Sequence, residues 1–386
     1  MKAATILRQP SLLLATCTVL HTAYATSSTA KTCTSYNIAV TVSTTNAIFG
    51  LPHFQTDLDV ADFVNTLGSR DSETAMSVTS PMTENVTASY TIAATFCRPD
   101  GRGAGKNSTV LIATHGLGFD KSYWDPQLDK TKYSFVDFVV SQGFSILTYD
   151  RLGVGASSQV SGYVAQLSNQ VAILTELTHL VKAGKYVGDT GKPAAVVLVG
   201  HSFGSATSIT AVSNDVTLAD GLILTGFSLN VTNIDGLGFT ETLGLRIASK
   251  QQPGKWRQLD TGYVTNVDLV SNVGAFFKAP DYDPAVARFA EANKAPFGTM
   301  ELITGQRPGL PYAFQGVAMI ISGKFDLIFC KSDCDDVLET PGARVFGHAN
   351  AFKAISYPGA GHGINFHLNA TGAFQDITDF LSASGL

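Results

Sequence analysis

The chain has 386 residues, 45% of them apolar and only 15% charged, so it can bury a large core as one big domain or two ordinary ones. The formal net charge is −5, and no lysine- or arginine-rich stripe interrupts it, which excludes an electrostatic case for nucleic-acid binding. The composition is that of a globular protein.

Residues 1–25 read as a signal peptide. Lys2 and Arg8 form a positive start, Ser11 to Leu20 a short apolar run, and Ala23-Tyr24-Ala25 a small-x-small cleavage site. The apolar run is about half of what a membrane span needs, so the expectation is a secreted, extracellular protein with no stable span. Cys17 leaves with the signal. The four remaining cysteines suggest two disulfides in an oxidising compartment. Three pairings are open. Cys33–Cys97 is favoured because each cysteine sits at the end of an early strand, and Cys330–Cys334 can close a small loop. Asn85, Asn107, Asn230 and Asn369 head N-x-S/T sequons and fit a glycoprotein.

The first strands alternate polar and apolar residues, over Ser35–Thr44 and Ala88–Cys97, as half-exposed antiparallel strands do. Between them lies an insertion, 45–87, with one helical patch at Leu58–Leu67. The later strands are continuously apolar: Thr109–Thr114, Phe144–Tyr149, Ala194–Val199, Gly221–Leu224, Val317–Ile321 and Ala354–Tyr357. Such runs mark parallel strands buried on both faces. Helical spacing appears at Tyr133–Ser141, along Val164, Leu167, Val171, Leu174 and Val181, and at Phe374–Leu381. The pattern predicts an α/β fold with about eight strands, mostly parallel, helices on both faces, and an inserted cap. The core is expected over 26–225 and 313–386. The cap is 226–312, an aromatic-rich segment in which Asp283-Pro284 starts a helix.

Four motifs carry chemistry. Gly200-His201-Ser202-Phe203-Gly204 follows a buried strand and precedes a helix of small residues. A serine on that tight turn has its hydroxyl raised above the sheet edge. Thr114-His115-Gly116-Leu117-Gly118 follows another strand. The N–H groups of Leu117 and Phe203 are the expected oxyanion hole, and His115 shapes the loop and borders the substrate. Asp326 falls just past the strand Val317–Ile321, in a Gly-x-x-Asp turn, with Asp333, Asp335 and Asp336 as weaker rivals. His362 stands among glycines after the last strand, with His367, His348 and His53 as rivals. Serine as nucleophile, histidine as general base and aspartate as the group that orients it follow in that order. Phe276 and Phe277 in the cap are expected to contact an apolar acyl or ring-bearing substrate. No histidine spacing suggests a metal, and no Rossmann fingerprint or P-loop is present, so no cofactor is expected.

These motifs resemble the α/β-hydrolase superfamily, and Tyr149 to Ser158 resembles the D-x-R-G-x-G-x-S turn of its lipase/esterase-like branch, with Leu152 departing from the pattern. The resemblance spans about residues 88–386; residues 26–87 match no family pattern. It implies the eight-stranded sheet, the triad, the cap, and a structural role for Asp150. Members that open epoxides or remove halide carry aspartate at the elbow, so Ser202 implies an acyl-enzyme instead. Expected partners are apolar esters, lactones or thioesters; the oligomeric state is open. Two other readings stand beside this one. One is a secondary-metabolism enzyme of the same fold, such as a lactonase, transacylase or carbon–carbon hydrolase. The other is a non-catalytic binding module, in which a triad member would normally be missing.

Overall fold

The computed structural model describes residue 1 and residues 31–69, 82–100, 108–230, 232 and 234–386. The rest of the expected signal segment, residues 2–25, and Asn107 lie outside the described residues. Eleven strands occur among them: β1 Lys31–Ile48, β2 Met82–Pro99, β3 Thr109–Thr114, β4 Ser145–Tyr149, β5 Ala195–His201, β6 Gly221–Thr225, β7 Arg246–Ile247, β8 Tyr263–Thr265, β9 Phe297–Gly298, β10 Val317–Gly323 and β11 Ala351–Tyr357. Eight make one sheet in the order β1-β2-β4-β3-β5-β6-β10-β11. From β4 to β11 all pairings are parallel, whereas β2 runs antiparallel to both β1 and β4.

Every residue of β3, β4, β5, β6 and β10 is buried, as their unbroken apolar runs require. The outer hairpin is longer than its alternating pattern suggested. β1 and β2 pair without a break from Lys31↔Pro99 to Ile48↔Met82, so the connecting segment shrinks from 45–87 to 49–81. The extra length is mostly polar and carries no apolar alternation. Side chains bridge it across the strands, with Ser43 to Thr87 at 2.8 Å and the Thr45 hydroxyl donating to Asn85 Oδ1 at 2.8 Å.

Between β6 and β10 the chain builds a separate layer of helices, Gly236–Leu243, Leu269–Phe276, Pro284–Ala292 and Thr299–Thr304, with the small antiparallel sheet β7-β8-β9. The helix Asp57–Leu67 from the 49–81 segment packs against this layer. Asp57 accepts a hydrogen bond from the Ile247 amide (2.9 Å), and Val60 and Phe63 are buried. Both cysteine pairs are disulfides, Cys33–Cys97 and Cys330–Cys334. No helix among the described residues is long and apolar enough to cross a membrane.

Candidate active site

The chain leaves β3 for β4 on one side and returns to β5 on the other. The carboxyl ends of β3 and β5 therefore flank the switch point of the sheet, where ligands bind in open α/β folds. Ser202 follows β5 there with φ 55° and ψ −117°, a region that a residue with a side chain occupies only under strain. The turn is tight because helix Phe203–Asn214 starts at once and crosses β3 at close range. A Cβ on Gly204 would lie 2.0 Å from the Thr114 carbonyl oxygen, and one on Gly200 would lie 2.4 Å from the Ser205 backbone. Only glycine fits at either position.

Asp326 follows β10 and caps the short helix Leu327–Cys330. Its Oδ1 accepts the amides of Ile328 (2.9 Å) and Phe329 (3.0 Å), while Oδ2 faces His362 Nδ1 at 2.7 Å. The Cys330–Cys334 disulfide closes the same loop, and the Ser332 amide bonds back to the Asp326 carbonyl (2.9 Å). Asp335, a rival in the sequence, instead pairs with Lys324 on the surface.

The His362 ring lies between Phe276 and Phe329, with centroids 5.8 and 5.7 Å away, and 4.8 Å from the ring of His201, the residue before Ser202. His362 Nε2 is buried with no hydrogen-bond partner. Catalytic hydrogen bonds are often long before substrate binds and tighten in the complex.

His367, the nearest rival, is committed elsewhere. Its Nε2 accepts from the amides of Lys278 and Gly361, both at 3.0 Å, and its Nδ1 faces the Gly363 carbonyl at 3.0 Å. It pins the turn that carries His362. Burial lowers its pKa from 6.5 to about 4. The unfolded chain therefore binds more protons between those values. Stability present above pH 6.5 is lost as the pH falls towards 4, by about 3 kcal/mol from this residue. His115 and His201, both held well below the ordinary value chiefly by burial, act in the same direction. Thermal melts across this range are expected to show a shallower acid slope in His367→Asn; an unchanged slope would contradict the assignment. His348 and His53 are exposed, with His53 stacking on Tyr163 at 4.2 Å.

The amides of Leu117 and Phe203 donate to no acceptor among the described residues. Both residues border a cavity of about 320 Å³ that also opens on Ser202. Its walls are mainly apolar, with Ala206, Phe227, Phe239, Leu302, Leu310, Ile328 and Phe329, and its polar lining includes Ser228, Glu301, Gln306 and Arg307.

Three expected substrate contacts are not part of this wall. His115 is fully buried, with Nε2 accepting the Arg151 amide (3.1 Å) and Nδ1 on the Gly116 carbonyl (3.0 Å), so its ring belongs to the loop. Phe276 backs His362 and takes the Gly363 amide on its carbonyl (2.8 Å). Phe277 packs on Tyr282 and His367. The cavity is instead lined by cap residues within 234–239 and 301–310, among which Phe239 is the one side chain that belongs to the aromatic signal of the cap sequence. Phe329 and Phe227 were also missed, because nothing local marks them as cavity walls.

Asp150 is structural. It is buried and accepts from Lys121 Nζ (2.6 Å) and the Ala156 amide (3.0 Å). Asn85 is exposed, Asn230 is half-buried, and Asn369 turns its amide nitrogen to the Pro358 carbonyl. Among the described residues, no group of three or more His, Cys, Asp or Glu side chains is placed to hold a metal ion.

No curated protein matches the sequence significantly. Among solved structures the fold resembles an esterase from Thermogutta terrifontis, with TM-score 0.51 and 18% identity over 76% of this chain and 94% of that one. It also resembles a bromoperoxidase from Bacillus anthracis, with TM-score 0.50 and 20% identity over 76% of this chain and 96% of that one. At such identities the likeness is one of fold. The model of the alpha/beta hydrolase family matches residues 110–374, well over half of the chain and every element of the site just described, and the chain belongs to that family.

Proposed function

We propose that this chain is a secreted serine hydrolase that cleaves a carboxylic ester, or a lactone or thioester, through an acyl-enzyme on Ser202. One observation carries the reading: a strained serine faces an apolar cavity beside two unpaired amides, with a buried Asp326–His362 pair against the same turn. In this reading His362 Nε2 takes the Ser202 proton as Oγ attacks the substrate carbonyl. The N–H groups of Leu117 and Phe203 stabilise the oxyanion, each contributing about 3 kcal/mol to the transition state. His362 then passes the proton to the leaving alcohol or thiol, and water releases the acid by the same steps in reverse.

The cavity volume of about 320 Å³ lies at the low end of ligand pockets, about 300–1,000 Å³, which favours a compact apolar acyl group. Leu302 is buried in that wall. Leu302→Trp is expected to raise KM for octanoyl nitrophenyl esters at least about tenfold while leaving the acetyl ester nearly unchanged, since lost apolar contact is worth about 1–3 kcal/mol. Equal effects on both esters would place the acyl group elsewhere.

Secretion is supported by the leader pattern of residues 1–25 and by the two disulfides, which persist in oxidising compartments. Amino-terminal sequencing of the protein from culture medium tests it, with cleavage after Ala25 expected.

A further inference from the structure

Arg151 and Glu301 form an ion pair whose side chains are both wholly inaccessible to solvent. They come from opposite sides of the site. Arg151 follows β4 in the core, and Glu301 sits in the cap helix Thr299–Thr304 and borders the substrate cavity. Burying two charges together is a weak route to stability, which raises the question of what the pair positions.

The guanidinium makes three contacts. Nη1 donates to Glu301 Oε1. Nη2 donates to the Gly116 carbonyl at 3.3 Å. Its Cζ lies over the Phe203 ring, 4.8 Å from the centroid. The Gly116 carbonyl belongs to the same peptide unit as the Leu117 N–H. That unit is planar and trans, so its N–H and carbonyl point in opposite directions. Holding the Gly116 oxygen therefore aims the Leu117 N–H the other way, and Leu117 itself lines the cavity. His115 reinforces this. Its Nε2 accepts the Arg151 amide, which leaves the ring proton on Nδ1 for the same carbonyl. Phe203, under the guanidinium, carries the second oxyanion N–H.

Glu301 is itself fully anchored. Oε1 also accepts from Gln170 Nε2 (2.9 Å), whose amide group brackets the Leu152 backbone, and Oε2 accepts the Gly298 amide (3.0 Å) at the start of the cap helix.

We infer that Arg151 and Glu301 are positioning residues for the oxyanion hole, which makes the seating of the cap helix a condition for stabilising the transition state. This rests on the proposed serine hydrolysis. The oxyanion forms only in the transition state, so a misaimed donor lowers kcat and leaves KM almost unchanged. Loss of one such donor typically costs about 10²–10³ in kcat, and a misplaced one somewhat less.

The test compares wild type with Arg151→Met/Glu301→Gln and Glu301→Asp. The double variant removes both charges together, so neither is left buried alone. Glu301→Asp keeps the charge and draws it back by one methylene. Each is assayed for kcat and KM on nitrophenyl butyrate, for the rate of Ser202 phosphonylation by a fluorophosphonate, and for Tm. The expected result is a fold-intact double variant with kcat about 30- to 300-fold lower, KM within about threefold of wild type, and slowed phosphonylation. Glu301→Asp should lose about tenfold in kcat in the same pattern, and it carries the test if the double variant does not fold. Near wild-type kcat and phosphonylation in a folded variant would show a purely structural pair and overturn the inference. So would a loss confined to KM. A wild-type protein that takes no phosphonate would remove the reading of Ser202 as nucleophile, and this inference with it. A wild type that reacts beside equally reactive variants overturns the inference alone.

Discussion

Ser202→Ala is expected to lower kcat on nitrophenyl esters by about four to six decades while the protein stays folded. The size follows from the chemistry of the proposed reaction, because Ser202 is the serine on the strained turn beside the Leu117 and Phe203 amides and the Asp326–His362 pair. The survival of the fold follows from the structure. The turn is held by its backbone, with the Ser202 amide on the Thr225 carbonyl at 2.9 Å and the Ser205 amide on the Ser202 carbonyl at 2.8 Å. The same site makes a second, opposite prediction. With φ at 55°, Ser202 is strained by its own Cβ, at a typical cost of about 1–3 kcal/mol. Ser202→Gly should therefore be inactive and yet melt at a higher temperature than Ser202→Ala. Activity in either variant within tenfold of wild type would exclude Ser202 as the nucleophile.

Asp326→Asn is expected to lower kcat by about four decades with little change in Tm. Asp326 does two jobs with two oxygens. Oδ1 receives the amides of Ile328 and Phe329, and an asparagine oxygen can go on receiving them. Oδ2 faces His362 Nδ1, and there the asparagine presents an NH₂ group. The ring must then accept at Nδ1 and carry its proton on Nε2, where it cannot take one from Ser202. Asp326→Ala should lose the cap as well and be destabilised by about 1 kcal/mol beyond the asparagine variant. A pH–rate profile with single-turnover acylation separates the two effects. Full activity in the asparagine variant would mean that another carboxylate orients His362.

Much of this site could be read along the chain because each piece is local. An elbow needs a buried strand, glycine, serine, glycine and a small-residue helix within about ten residues, and 195–206 supplies them. Asp326 and His362 could be placed because each follows a recognisable parallel strand and lands at the same sheet edge. The choice of His362 over His367 was harder. Both lie in one glycine-rich turn, and only the folded chain shows that both His367 nitrogens are spent on backbone groups.

The cavity wall was misread for a related reason. Aromatic content singled out Phe276 and Phe277, but a side chain's role depends on the direction in which its helix faces. Leu269–Phe276 ends with the Phe276 ring against His362, and Phe277, just past the helix, packs on Tyr282, Phe366 and His367. The polar half of the β1–β2 hairpin was missed because its pairing rests on backbone bonds and threonine contacts, with no apolar face to leave a pattern.

The sequence by itself determined the succession of the main strands and helices, the buried parallel sheet, and where Ser202, Asp326 and His362 fall after their strands. Strand burial and tight turns are encoded by neighbours within a few residues, so composition and spacing reveal them. The tertiary structure alone decided the lining of the cavity, the neutral structural roles of His115 and His367, and the meeting of Arg151 with Glu301 across 150 positions. Those depend on which faces of distant elements come together around the switch point of the sheet. Packing decides that over the whole chain, and no window of sequence contains it.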